Sequence, residues 1–179
     1  MNIILIGFRG TGKTTIGRIL AQRLRREFVD ADEYLERKTG KLIKDIFAEG
    51  GEVLFRDIEM QVIAELCLLD DRVIATGGGA VLREENIRRL RKNGILIYLN
   101  ADADTVYKRI REDKLAAQRR PNLTDRGRYQ EVEYLLEYRR PLYDKAADFV
   151  LDTAVISPND AAGKIITFLQ KHVTNFKTK

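Results

Sequence analysis

The segment GFRGTGKTT, residues 7–15, sets Gly7, Gly12, Lys13 and Thr14 at the fixed positions of G-x-x-x-x-G-K-[ST]. Residues of this kind at this spacing bind phosphate. Small residues let successive backbone N–H groups turn inward onto phosphate oxygens, and the helix that follows adds a favourable dipole at its N-terminus. The stretch Gly10, Thr11, Gly12, Lys13, Thr14 and Thr15 is therefore the candidate nucleotide-binding loop. Lys13 is expected to neutralise the β- and γ-phosphates of ATP, and the Thr14 hydroxyl to ligate Mg2+. The strand-like run NIILI ends directly before the loop and a helix begins inside it, which is the context this motif requires.

Three further clusters could deliver an acceptor to that phosphate. In FVDADEYLE (28–36), Asp30 and Asp32 lie two residues apart at a strand end, and extended alternation would send both carboxylates to one side. One carboxylate suits a Mg2+ shell and one suits the proton of an alcohol acceptor. Asp32 reads equally as the N-cap of the following helix. In ATGGGAVL (75–82), Gly77, Gly78 and Gly79 are consecutive. Glycine loses about 1 kcal/mol relative to alanine in regular structure, so three in a row point to a close approach of backbone to a ligand. Arg56, in GEVLFRDIE, and Arg139, before RPLY, carry planar forks that match a carboxylate or phosphate. Each reads as readily as a surface or ion-pair residue, with Glu59 one helical turn from Arg56 as a partner.

These clusters need a scaffold that gathers strand ends. Apolar runs at 2–6, 28–30, 72–76, 94–99 and 148–152 alternate with helical segments near 14–27, 32–38, 42–48, 52–69, 84–92, 102–112, 127–140 and 158–172. Pro141 is expected to kink or end the helix at 127–140. Five short buried strands separated by helices predict an α/β fold, a doubly wound parallel sheet in three α/β/α layers with helices on both faces. In such sheets ligands bind outside the carboxyl ends of the strands, and the loop at 7–14, the aspartate pair and the triple glycine all follow strands. One domain spanning 1–179 is expected.

The chain has 179 residues, 44% hydrophobic and 33% charged, and one cysteine. Cys67 cannot form an internal disulfide and reads as a small buried residue. No apolar run approaches membrane-span length, and a leader ahead of a loop that starts at residue 7 is not expected, which suits a cytoplasmic protein. The net charge of +5 raises the question of nucleic acid. Residues 108–128 hold eight Lys/Arg against three Asp/Glu, a surplus equal to that of the whole chain. That segment contains no aromatic residue on which bases could stack, so it fits closure over nucleotide phosphates better than a polynucleotide groove.

In this order, GFRGTGKTTIG, FVDADEYLE, IFAEGGEVLFRDIE, VIATGGGAVL, RRPNL, YRRPLYDKAADFVLDT and SPND resemble the shikimate kinase family over nearly the whole chain. The resemblance implies a P-loop kinase fold and Mg2+-dependent transfer of the ATP γ-phosphate to the 3-hydroxyl of shikimate, in aromatic amino-acid biosynthesis by way of chorismate. It implies that Asp32 contacts the acceptor hydroxyls and serves as base, and that Asp30 orients the Mg2+ shell. Arg56 and Arg139 would bind the shikimate carboxylate, with backbone of the triple glycine. Arg120, in a lid at about 112–126, would close on the phosphates, and Arg109 and Pro158 would flank the adenine. The segment 32–60 would bind the acceptor, and the enzyme would be a monomer.

The lid departs from the pattern in two ways: Asn122 replaces an apolar residue, and Arg119 stands beside Arg120. Arg140 beside Arg139 could share its role. Rival readings are another small-metabolite kinase, such as a gluconate or nucleoside monophosphate kinase, a non-catalytic ATP-binding relative with a regulatory role, and a nucleic-acid module. A neutral sugar has no use for two carboxylate-seeking arginines, and the nucleotide kinases lack the triple glycine.

Overall fold

The computed structural model describes residues 1–112 and 128–173, apart from the side chain of Arg128. Five strands, β1 (Asn2–Ile6), β2 (Glu27–Asp30), β3 (Arg72–Ala75), β4 (Gly94–Asn100) and β5 (Phe149–Asp152), form one parallel sheet in the order β2-β3-β1-β4-β5. The helices are α1 (Lys13–Leu24), α2 (Ala31–Thr39), α3 (Ile43–Leu66), α4 (Glu84–Asn93), α5 (Ala103–Glu112), α6 (Arg128–Ala146) and α7 (Pro158–His172), with a 3-10 turn at Ala80–Leu82.

Strand β1 shows why the sheet needs two covering layers. All five of its residues are buried, and their alternation sends Ile4 and Ile6 to one face, Ile3 and Leu5 to the other. The first face packs on α2, α3 and α4 and on the end of α6 through Leu35, Phe55, Val62, Leu90 and Tyr143. The second packs on α1 and α7 through Ile16, Leu20, Ile165 and Leu169. A third cluster at the carboxyl edge joins Phe8 of the phosphate loop to Val106 of α5 and Val132, Leu135 and Leu136 of α6. The expected three-layer α/β/α arrangement is the one found. No helix among the described residues is long and apolar enough to cross a membrane.

The helical segments read at 42–48 and 52–69 are both found: α3 consists of two helical runs parted at Gly50 and Gly51, where φ/ψ leave the helical region, and the second ends at Leu66. Gly51 sits at φ 65°, a left-handed conformation that favours glycine. Helix α6 does not end at Pro141 but continues to Ala146. Proline removes one helical hydrogen bond, and burial of Tyr143 (0% exposed) and Ala146 (2%) in the core holds the last turn in place. Cys67 is buried as expected, and that burial pushes its thiol up to about 11 despite the nearby Arg89, so it is a poor nucleophile at neutral pH. Arg119, Arg120, Asn122 and the lid at about 112–126, beyond Glu112 itself, lie outside the described residues.

Candidate active site

The site begins where β1 ends. Gly7, Gly10 and Gly12 all have positive φ, at 140°, 80° and 90°. A Cβ on Gly7 would lie 2.4 Å from the Leu99 carbonyl oxygen, so backbone shape and crowding both demand glycine there. Gly12 is the N-cap of α1 and no side chain caps it, leaving the first-turn N–H groups for an anion. Lys13 folds back over the loop, its Nζ donating to the Gly7 and Phe8 carbonyls at 2.8 Å each. The buried Thr11 hydroxyl donates to Phe8 O at 2.8 Å, and Thr15 is exposed on α1.

The aspartate pair is arranged differently from the extended reading. Strand β2 stops at Asp30 and α2 starts at Ala31, so alternation never reaches Asp32. Asp30 is the N-cap, its Oδ1 accepting from the backbone N–H of Asp32 at 3.0 Å and of Glu33 at 3.4 Å. The capping role considered for Asp32 therefore belongs to Asp30. Asp32, half-buried, lies in the first turn of α2.

The other Asp30 oxygen accepts from the Thr14 hydroxyl at 2.8 Å, which ties the phosphate loop to β2. Hydroxyl and carboxylate together form a hard oxygen pair of the kind Mg2+ takes beside phosphates and water. No group of three or more His, Cys, Asp or Glu among the described residues is placed to hold a metal, and a metal carried partly by a nucleotide does not need one. Thr14 and Asp30 thus fit Mg2+. Burial first, and then the charge of Asp32, push the Asp30 carboxyl above its ordinary value.

The sign of that shift sets a stability prediction. A carboxyl raised in the folded state favours folding while protonated, and that advantage is lost as pH climbs through the folded value. At neutral pH the ionised Asp30 therefore destabilises the ligand-free fold. Asp30→Asn keeps an N-cap and removes the charge, so thermal melts at neutral pH should show a raised midpoint. The gain should shrink toward acid pH.

The triple glycine is buried at the end of β3. A Cβ on Gly78 would lie 3.2 Å from the Arg9 nitrogen, and one on Gly79 would meet the Arg56 guanidinium at 2.2–2.3 Å. The close approach read from three glycines is thus, in this structure, an approach to the phosphate loop and to Arg56. Arg56 is 5% exposed and Arg139 4%; Arg140 is exposed, so the buried member of that pair is Arg139. Arg139 donates to the Gly78 carbonyl at 3.3 Å, and the Tyr143 hydroxyl donates to the same oxygen. The Arg139 Nε has no hydrogen-bond partner, and no carboxylate pairs with this guanidinium among the described residues. Burial holds it below the ordinary arginine value, and the nearby positive Arg56 adds to that depression. A buried, under-bonded guanidinium beside a second one is a place for an anion.

On the far side of the loop, Arg109 reaches Gly10 O at 3.4 Å and Thr153 O at 2.7 Å. The Thr153 hydroxyl donates to Thr11 O and Asn100 O at 3.1 and 3.0 Å. Arg109 therefore stands at the rim of the phosphate loop, while Pro158 is the exposed first residue of α7. Sequence reasoning missed Glu52, Tyr143 and Thr153. The Glu52–Arg56 spacing of i, i+4 was a usable signal; the other two had none, because their partners are distant in the chain.

The family model described as shikimate kinase matches residues 9–170. A shikimate kinase of Thermodesulfovibrio yellowstonii is 42% identical over 177 residues, covering 99% of each chain. Among solved structures, a shikimate kinase from Acinetobacter baumannii in complex with shikimate superposes with a TM-score of 0.90 at 38% identity, over 97% of this chain and 95% of that one. A gluconokinase from Sinorhizobium meliloti shares the fold alone, with a TM-score of 0.58 at 12% identity over 97% of this chain and 94% of that one.

Proposed function

The chain belongs to the shikimate kinase family, and from that premise we infer how its own residues transfer the γ-phosphate of ATP to the 3-hydroxyl of shikimate. The observation that carries the reading is Arg139, a buried guanidinium that no carboxylate pairs with among the described residues, set through Gly78 against a phosphate loop. A triphosphate and an organic acid are the ligands that complete those two places.

Lys13 leaves the Gly7 and Phe8 carbonyls and turns to the β- and γ-phosphates. Thr14 and Asp30 would hold Mg2+, which supplies charge neutralisation on the phosphate chain when bound. Arg109 lies beside the nucleotide base, with Pro158 on its other side. Arg56 and Arg139 grip the shikimate carboxylate, and the backbone of Gly77, Gly78 and Gly79 lines that end of the site. Asp32 accepts the proton of the 3-hydroxyl as its oxygen bonds to the γ-phosphorus. The bond to the β–γ bridging oxygen breaks, and ADP leaves with that electron pair. Arg120 is assigned to the transferring phosphate from the RRPNL segment. Such a reaction asks the protein for positioning and charge rather than covalent chemistry. We propose that the enzyme acts as a monomer in the cytoplasm.

A coupled ADP assay comparing shikimate with its methyl ester tests the reading. Removing the acceptor's charge should raise KM about 30-fold or more, the cost of leaving a buried charge unpaired. No turnover with shikimate, alongside intact ATP binding, would instead support a non-catalytic relative. Gly79→Ala gives a second check. Its methyl group must push aside an Arg56 guanidinium held by two glutamates, so stability should fall by about 1–3 kcal/mol. The shikimate KM should rise with it, while the ATP KM stays unchanged.

A further inference from the structure

Arg56 has both of its edges occupied in the structure. Its Nε and Nη2 donate to one oxygen of Glu52 at 3.1 and 2.9 Å, and its Nη1 donates to Glu59 at 2.7 Å. The two glutamates are not equivalent. The Glu59 side chain is 4% exposed and that of Glu52 is 47% exposed. Glu52 also follows directly on Gly50 and Gly51, where α3 breaks. The Nε–Nη2 edge it covers is one that a planar carboxylate grips with two parallel hydrogen bonds.

We propose that Glu52 is an internal stand-in for the acceptor's carboxylate, held on Arg56 while the site is empty and displaced into solvent when shikimate binds. The proposal rests on the reading that Arg56 binds the acceptor carboxylate. It explains how so buried a guanidinium stays satisfied between turnovers, since an unpaired buried charge is strongly unfavourable. It also makes Glu52 a specificity residue. An acceptor must outcompete a carboxylate for the fork of Arg56, and a neutral one brings nothing to exchange. An acid succeeds because it gains Arg139 as well, which no carboxylate pairs with among the described residues. Glu59, buried on the opposite edge, stays in place and holds the guanidinium plane.

Two substitutions test this by steady-state kinetics. Glu52→Gln removes the charge; Glu52→Asp keeps it but is one methylene too short to hold the contact. Both should lower the shikimate KM about tenfold or more, the scale of one charge-assisted hydrogen-bonded contact no longer to be undone, with kcat unchanged. Glu59→Gln should move KM the other way. The proposal is overturned if either Glu52 variant raises KM or leaves it as it was. An effect of Glu52→Gln without one of Glu52→Asp would mean that only the local field matters. Arg56→Ala separates the two layers of the argument. If it leaves KM unchanged, the carboxylate reading fails. If it raises KM while the Glu52 variants do nothing, only the stand-in role fails. In an Arg56→Ala background the Glu52 effects should vanish.

Discussion

Replacing Arg139 with methionine should leave the ligand-free enzyme as stable as before, or more so, while the shikimate KM rises about 30-fold or more. These two effects point in opposite directions because, in the proposed reading, the residue serves the ligand and not the fold. The residue is 4% exposed, its Nε lacks a hydrogen-bond partner among the described residues, and burial and Arg56 together depress its ordinary affinity for a proton. Replacing a buried charge with a hydrophobic group of similar volume is often neutral or stabilising. Methionine keeps an apolar stem against Phe8, over whose ring the guanidinium lies at 5.5 Å, and Gly78 O keeps the Tyr143 hydroxyl. Ligand-free thermal melts and saturation kinetics read the two effects separately. A midpoint lowered by many degrees with an unaltered KM would make Arg139 a structural residue. Arg140→Ala, at the exposed neighbour, is the control and should change neither quantity.

Asp32→Asn should lower kcat about 10²- to 10⁴-fold, the usual weight of a positioned general base. The KM for ATP should stay close to its original value. The structure makes this a sharp test because capping of α2 falls to Asp30. Losing the Asp32 charge therefore leaves the cap in place; it forfeits an interaction with the helix dipole, about 0.3–1 kcal/mol, and relieves the repulsion of Asp30. The thermal midpoint should barely move while turnover collapses. A variant that turns over normally, or one that simply unfolds, would remove Asp32 from the chemistry.

Much of this site was legible in the chain because its pieces are local. Glycine spacing, a lysine and a hydroxyl within nine residues define a phosphate loop, since backbone N–H direction depends on neighbouring φ values. Five apolar runs separated by helices implied a covered parallel sheet, and that topology brought three strand ends to one edge. Rules of the same local kind also misled. Alternation assumed that β2 continued to Asp32, where a helix begins at Ala31. Proline chemistry allowed α6 either to kink or to end at Pro141, and core packing of Tyr143 carries it onward to Ala146.

The roles of the arginines lay beyond such reasoning. Arg139 and Arg140 are adjacent and identical in type, and only the rotation of α6 against the sheet buries one and exposes the other. The hydrogen bond from Tyr143 to Gly78 spans 65 positions and that from Arg109 to Gly10 spans 99. That this protein binds a nucleoside triphosphate at the edge of a parallel sheet is written in short-range backbone geometry and hydrophobic period. Which aspartate caps, which guanidinium lacks a carboxylate among the described residues and which glutamate covers the other follow from the folded chain alone. Burial and pairing are properties of side chains brought together from distant segments, and no single segment carries them.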